Sequence, residues 1–316
     1  MPPRISIIIP CYNEEEAFSF CRRAIGEVLA GLIRKGKVGA DSKIVFVNDG
    51  SKDKTWELIE AACREDSLFA GICLSRNFGH QYAVLAGLQA APGDALISID
   101  ADLQDDVSVI ETMVNHFING SDVVYGVRED RSMDTAFKRF TALAFYRLMQ
   151  GLGAKSVFNH ADYRLMSRRA VEALSEFHES ALYLRGLMPL IGFTQSTVSY
   201  KRAVRVAGET KYPLSKMIAL SLNAITSLSS YPLRLITLTA IIGVVVSLML
   251  ACYVLAVRLS LPTQAVPGWA SVVLPVLFIG SLNLLASGVI GEYVARVFDE
   301  VKSRPRYFIS FKHNLD

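Results

Sequence analysis

The chain has 316 residues, with 33 Lys and Arg against 30 Asp and Glu, and 51% of its residues are hydrophobic. That length leaves room for two ordinary domains, and the near-balanced charge excludes the strong basic excess expected of a nucleic-acid binder. The mean hydropathy of +0.31 is high for a soluble enzyme. One segment accounts for it: within Leu235–Gly291, 57 residues, only Arg258 is charged. The remainder has ordinary globular charge usage, so the sequence reads as a soluble-type domain followed by a membrane segment. Cys11, Cys21, Cys63, Cys73 and Cys252 form no C-x-x-C pair, which argues against a zinc site or disulfide framework and for a reducing compartment. A signal peptide is not expected, because the apolar run Ile5–Ile9 stops at Pro10 before an acidic cluster.

From the N-terminus, short aliphatic runs alternate with helical patterns. The runs Ile5–Ile9, Lys43–Asn48, Phe69–Leu74, Ala95–Asp100 and Asp122–Val127 predict strands. Between them, Ala17–Arg34, Lys54–Arg64, Gln81–Ala91 and Val109–Asn119 predict helices. This alternation implies an α/β domain with a mostly parallel sheet, whose ligands bind beyond the carboxyl ends of the strands. Three runs end in polar clusters: Pro10-Cys11-Tyr12-Asn13-Glu14, Asn48-Asp49-Gly50-Ser51 and Asp100-Ala101-Asp102-Leu103-Gln104. No G-x-G-x-x-G or P-loop pattern is present, so dinucleotide oxidoreductase and P-loop chemistry are unsupported.

The sharpest feature is Asp100-Ala101-Asp102. If the chain stays extended there, Asp100, Asp102 and Gln104 share one face while Ala101 and Leu103 face the core. Three hard oxygen ligands suit Mg²⁺ or Mn²⁺, which bridge carboxylates to a diphosphate. The five histidines, His80, His116, His160, His178 and His313, show no ligand spacing and are read as structural or solvent-facing.

Toward the C-terminus, Leu235–Val257 and Trp269–Gly291 are 23 residues each without a charge, long enough to cross a bilayer as helices. Lys211, Lys216, Arg234, Arg296, Lys302, Arg304, Arg306 and Lys312 flank them on one side, against Arg258 alone on the other. The bias predicts a hairpin anchor with both termini cytoplasmic. Ahead of it, Tyr212–Tyr231 is Ser-rich and near-helical in its apolar spacing, as for an interfacial helix on the cytoplasmic leaflet.

The motifs together resemble family 2 glycosyltransferases, more narrowly those acting on polyprenyl phosphates: the bactoprenol glucosyltransferases and dolichol-phosphate mannose synthase. The resemblance is carried by Ile9-Pro10-Cys11-Tyr12-Asn13-Glu14-Glu15, Asn48 through Asp53, Arg76-Asn77-Phe78-Gly79, Asp100 through Asp105, Asp162 through Arg169 and Arg205 through Tyr212. It continues through the hairpin to Gly291-Glu292-Tyr293 and Arg304 through Tyr307. Ala161 stands where such relatives usually carry Gly. The resemblance implies a GT-A (Rossmann-like) α/β fold with a C-terminal two-helix transmembrane hairpin. The expected organisation is a cytoplasmic catalytic domain over 1–211, an interfacial region over 212–231, two transmembrane helices over 232–291 and a basic tail over 292–316.

By the same resemblance, Pro10, Tyr12, Glu14, Asp49 and Asp100 bind the nucleotide sugar, while Asp100, Asp102 and Gln104 hold Mg²⁺ or Mn²⁺. Arg128, Arg139, Arg205 and Lys211 bind the acceptor phosphate, for which arginine forks are well suited. Asp102 and Asp162 are the catalytic candidates, Asp162 as a base or as a positioning group. The implied reaction moves a hexose, glucose from UDP-glucose first, from a nucleotide-diphosphate sugar to polyprenyl (undecaprenyl) phosphate with inversion. Other donors remain open: UDP-GlcNAc, UDP-aminoarabinose and GDP-mannose. So does an inert membrane-tethered nucleotide-sugar-binding scaffold, although the intact Asp pair argues against it. A processive polysaccharide synthase should carry a Q-x-x-R-W motif and more spans, and neither is found. The expected setting is the inner (plasma) membrane, as a homo-oligomer, with no nucleic-acid partner.

Overall fold

A computed structural model of the chain describes residues 1–128, 160–179, 184–201 and 269–315, with isolated helical positions between 236 and 252. They fall in two compact units, Met1–Pro213 with Arg304–Asp316, and Leu214–Ser303. In the first unit the strands are β1 (Ile5–Cys11), β2 (Lys43–Asn48), β3 (Phe69–Leu74), β4 (Ala95–Ser98), β5 (Val123–Arg128), β6 (His160–Ser167), β7 (Gln195–Tyr200) and β8 (Ile309–His313). Its helices are α1 (Glu15–Arg34), α2 (Thr55–Glu65), α3 (His80–Ala90), α4 (Val109–Ile118), α5 (Arg168–Ser175) and α6 (Leu184–Ile191).

All eight strands form one sheet in the order β7-β5-β6-β4-β1-β2-β3-β8. The pairs β1–β2, β1–β4, β2–β3 and β5–β7 are parallel. The strand β6 runs antiparallel between β4 and β5, and β8 runs antiparallel on β3. Strands of such a sheet are covered on both faces, which is why they read as continuous aliphatic runs rather than as alternation. Along β1, Ile5, Ile7 and Ile9 pack with Phe18, Ile25 and Leu29 of α1 and Met113 of α4. Ile8 points the other way, toward Leu85 and Leu88 of α3 and Leu174 of α5. The helix α3 lies close on β1 and β2 because position 87 is Gly: a Cβ there would stand 2.2 Å from Ile8 Cγ2 and 2.9 Å from Val47 Cγ2.

The C-terminal residues expected as a basic tail are part of this sheet. Beyond Arg304 the chain forms β8 and closes the β3 edge, with Asn314 Nδ2 donating to the carbonyls of Cys63 at 2.6 Å and Phe69 at 3.0 Å. An added strand of this kind covers backbone groups that would otherwise stand open at the edge.

In the second unit, α7 (Trp269–Val301) is a continuous helix of 33 residues with Pro275 inside it, about 50 Å at 1.5 Å per residue. Within it Phe278–Val301 is long and apolar enough to cross a membrane by length and composition. Leu284, Leu285, Ile290, Val294, Val297 and Phe298 are all exposed along it. The expected end of this span at Gly291 is not a helix end: helix formers follow and the next proline is Pro305. Of the other expected span, the described positions between 236 and 252 are helical; the remainder, and the interfacial segment 212–231, lie outside the described residues.

Candidate active site

The site is built at the carboxyl edge of the parallel strands. After β1 the chain turns at Asn13, whose φ is 54°, and after β2 it turns at Gly50. These two turns are stitched together: Asn13 N donates to Ser51 Oγ, Lys52 N to Asn13 Oδ1, Glu14 N to Thr55 Oγ1 and Glu15 N to Asp53 Oδ2, all between 2.8 and 3.1 Å. Short polar side chains that capture backbone N–H groups fix such turns without regular structure. Pro10 is buried in β1, Glu14 precedes α1 and accepts its first turn's N–H groups through its backbone carbonyl, and Tyr12 is left 43% exposed at the rim.

Asp49, buried at the end of β2, faces the loop that follows β3. Phe78 N donates to its Oδ1 at 2.7 Å and Gly79 N to its Oδ2 at 2.9 Å. Burial raises its pKa above the usual carboxylate value, while the two N–H donors pull the other way. Gly50 is required by close approach as well as by its φ of 65°: a Cβ there would stand 2.4 Å from Arg76 C and Asn77 N.

The strand β4 ends at Ser98, earlier than predicted, and Asp100–Asp102 lie on a turn. The extended arrangement that would align Asp100, Asp102 and Gln104 is therefore not formed. Asp102 Oδ1 accepts from Gln104 N at 3.2 Å, and Leu103 takes a φ of 53°. An Asp that bonds the backbone two residues on favours a turn over a strand. Ala101 is buried and Leu103 packs against the same core, as expected.

Beside this turn stands the start of β6, brought to the same edge because that strand runs antiparallel. Ser98 Oγ donates to the Asp162 carbonyl at 2.7 Å. The wholly buried Arg164 donates through Nη2 to Asp162 Oδ1. His80, the first residue of α3, places Nε2 at 3.5 Å from Asp100 Oδ1 and 3.9 Å from Asp162 Oδ2. Burial raises the pKa of Asp100, His80 opposes the rise, and Asp162, Asp105 and Asp102 add to it. Such a concentration of hard carboxylate oxygens is chemically suited to a divalent cation.

Among the described residues no three His, Cys, Asp or Glu side chains are grouped to hold a metal by themselves. Two carboxylates completed by substrate phosphates are the usual habit of Mg²⁺, and Asp100 with Asp102 fit that pattern. Covalent cysteine chemistry is unsupported here: burial pushes the Cys21 thiol up to about 12 and that of Cys11 well up.

The comparison with known proteins decides the family. The family described as glycosyl transferase family 2 matches residues 6–175. The chain belongs to glycosyltransferase family 2. It is a glycosyltransferase with a GT-A-like α/β, mostly parallel sheet. It is 46% identical over 97% of its length, and 91% of the relative's, to the uncharacterized glycosyltransferase YkoT of Bacillus subtilis. To the SfII prophage-derived bactoprenol glucosyl transferase of Shigella flexneri it is 37% identical, over 98% of each chain. To the prophage bactoprenol glucosyl transferase homolog of Escherichia coli K12 it is 36% identical, over 97% of this chain and 98% of that one.

In this glycosyltransferase the predicted residues Pro10, Tyr12, Glu14, Asp49, Asp100, Asp102, Asp162 and Arg128 all come to one edge of the sheet. Arg128, at the end of β5, is held from the inside: its Nη2 donates to Asp105 Oδ1 at 3.1 Å and its Nε to Tyr200 Oη at 3.3 Å. Tyr200 in turn donates to Asp105 Oδ1 at 2.5 Å. Arg139, Arg205 and Lys211 lie outside the described residues. Sequence reasoning missed Asp105, Tyr200, Arg164 and His80. Arg164 carried a signal, since residues i and i+2 of a strand share a face with one another. His80, read as structural or solvent-facing, is 42% exposed but turns its ring toward two carboxylates; only the packing of α3 on β1, β2 and β4 reveals it.

Proposed function

We propose that the enzyme transfers a hexose, glucose from UDP-glucose, to a polyprenyl phosphate such as undecaprenyl phosphate, with inversion and with a divalent metal. The observation that carries this reading is the meeting of Asp100 and Asp162 at His80, with Asp102 on the same turn as Asp100, in a chain 37% identical over 98% of its length to a bactoprenol glucosyl transferase. Asp100 and Asp102 would hold Mg²⁺ or Mn²⁺, which when bound neutralises the departing diphosphate. Gln104, whose backbone closes the Asp turn, stays a candidate through its side chain.

On the donor side, Pro10, Tyr12, Glu14 and Asp49 bind the nucleotide. On the acceptor side, Arg128, with Arg139, Arg205 and Lys211, positions the lipid phosphate in line with the anomeric carbon. Arg128 enters that role already oriented by Asp105 and Tyr200. A phosphate monoester has a second pKa of about 6 and is largely dianionic at neutral pH, so it is a competent nucleophile without a strong base. Asp162, fixed by Arg164, either takes the residual proton or orients the acceptor.

The membrane segment fits a lipid acceptor. We place both termini and the catalytic domain in the cytoplasm, at the inner (plasma) membrane, with spans in the two apolar segments within 232–291 and a homo-oligomeric assembly. The deciding experiment supplies membranes containing the protein with polyprenyl phosphate and a panel of labelled nucleotide sugars. Organic-extractable label from UDP-glucose is expected; label from another donor alone would reassign the sugar, and none from any would refute the transfer.

A further inference from the structure

The loop Ser75–Gly79, between β3 and α3, is held from two sides. Asp49 binds its Phe78 and Gly79 N–H groups, and the approach of Gly50 leaves no slack behind Arg76 and Asn77. From the other direction comes the chain's last strand. Ser75 N donates to Phe308 O at 2.9 Å, and the Phe308 ring lies 6.3 Å from that of Phe78. The Arg76 guanidinium is 4.1 Å from the centre of the same Phe78 ring.

The pairing of β8 with β3 is uneven at this end. Cys73 stands opposite Phe311 but Leu74 stands opposite Ile309, so Ser310 is an extra residue. A bulge of this kind bends a strand and re-aims its neighbours; here it lies two residues after Phe308, whose carbonyl and ring reach the loop. The loop then leads directly into His80, which lies against Asp100 and Asp162. The far end of β8 is anchored separately, by Asn314 on the carbonyls of Cys63 in α2 and of Phe69 at the amino end of β3.

We propose that the C-terminal strand is a positioning element of the donor site, with Phe308 holding the Ser75–His80 loop against Asp49 and so presenting His80 to Asp100 and Asp162. The role rests on the glycosyl-transfer reading above. In this role Phe308 acts through the loop, by its contacts with Ser75 and Phe78.

The test uses the full-length protein with Phe308→Ala, Phe308→Tyr and Asn314→Ala, varying nucleotide sugar and polyprenyl phosphate separately and recording the melting temperature. Phe308→Ala should raise the KM for the nucleotide sugar about three- to tenfold, the range expected for losing an aromatic pair, and leave the lipid KM unchanged. Phe308→Tyr should restore it. Asn314→Ala should lower the melting temperature at least as much yet leave both KM values alone. An unchanged donor KM in Phe308→Ala, or an equal rise in Asn314→Ala, overturns the positioning role. If Phe308→Ala does not fold, Phe308→Leu carries the same comparison. Titration of UDP into the same proteins separates the two readings. Wild type that binds UDP but transfers no sugar counts against the proposed function. A Phe308→Ala protein that binds UDP as tightly as wild type overturns the positioning role.

Discussion

Arg164 and Asp162 sit two residues apart on one strand, and the wholly buried guanidinium of the first donates to the carboxylate of the second. A buried cation is tolerated only when paired, and removing one partner of such a pair costs about 3–5 kcal/mol. Arg164→Met should therefore lower stability by that order and reduce turnover with it. Arg164→Lys keeps the charge but loses the planar fork, so it should recover much of the melting temperature and little of the kcat. Equal recovery of both would show that Arg164 only stabilises the fold.

The Asp turn after β4 supplies the second prediction. Asp102→Asn should cut kcat by two or more orders of magnitude, roughly the loss expected when the electrophile at a departing diphosphate is weakened, while the circular dichroism spectrum stays that of wild type. Excess EDTA should abolish activity and added Mg²⁺ or Mn²⁺ restore it. Activity that survives both treatments would remove the metal from the mechanism.

Tyr200 and Asp105 orient Arg128 from beneath. Tyr200→Phe deletes the hydroxyl that donates to Asp105 and accepts from Arg128, leaving a buried carboxylate short of one donor, at a cost of about 1–3 kcal/mol. The KM for polyprenyl phosphate should rise several-fold and that for the nucleotide sugar should hold. A change confined to the donor KM would take Arg128 off the acceptor side.

Asp122 predicts a pH dependence of stability. Its carboxylate accepts from Arg169 through Nε and Nη2 and from the buried Ser167 hydroxyl, which also caps α5 through Ala170 N. The Arg169 bonds, foremost, lower its pKa in the folded protein; burial opposes them, and Ser167 adds to the lowering. A depressed folded pKa gives stability that is complete above the unfolded value of about 3.9 and is lost as pH falls through the folded one. Denaturant melts of wild type and Asp122→Asn should then converge as pH drops below about 4; a constant gap from pH 7 to pH 3 would contradict the linkage.

Topology provides a last check. A cysteine at position 264, in the connection between the apolar segments, should react with a membrane-impermeant reagent from outside the cell, and one placed in the C-terminal strand should not. The reverse pattern would invert the proposed orientation.

The fold was legible where both faces of the sheet are buried. Lys43–Asn48 and Phe69–Leu74 are bounded as predicted, because aliphatic runs between turn residues leave little choice. The Asp100 region was misread because strand alternation was extended past Ser98, where the Asp102 side chain competes for the backbone. The strands β6, β7 and β8 were not foreseen: their partners are distant in sequence, and no local signal marks an antiparallel insertion, a largely exposed edge strand or a strand that returns from the chain's end. Of the predicted residues, those on strand ends could be placed at one sheet edge from the sequence, whereas His80 and Tyr200, which meet them only through packing, could not.

The strand β8 also sets an order of events during synthesis. The outer neighbour of β3 is encoded after α7, so a growing chain must emit the whole apolar segment before that edge can be closed. Until then β3 presents open backbone groups to any other nascent chain, the condition under which strands pair wrongly. Completion of the sheet thus waits on translation of α7, and an N-terminal unit cut free ahead of that helix keeps an exposed edge that the intact polypeptide does not have.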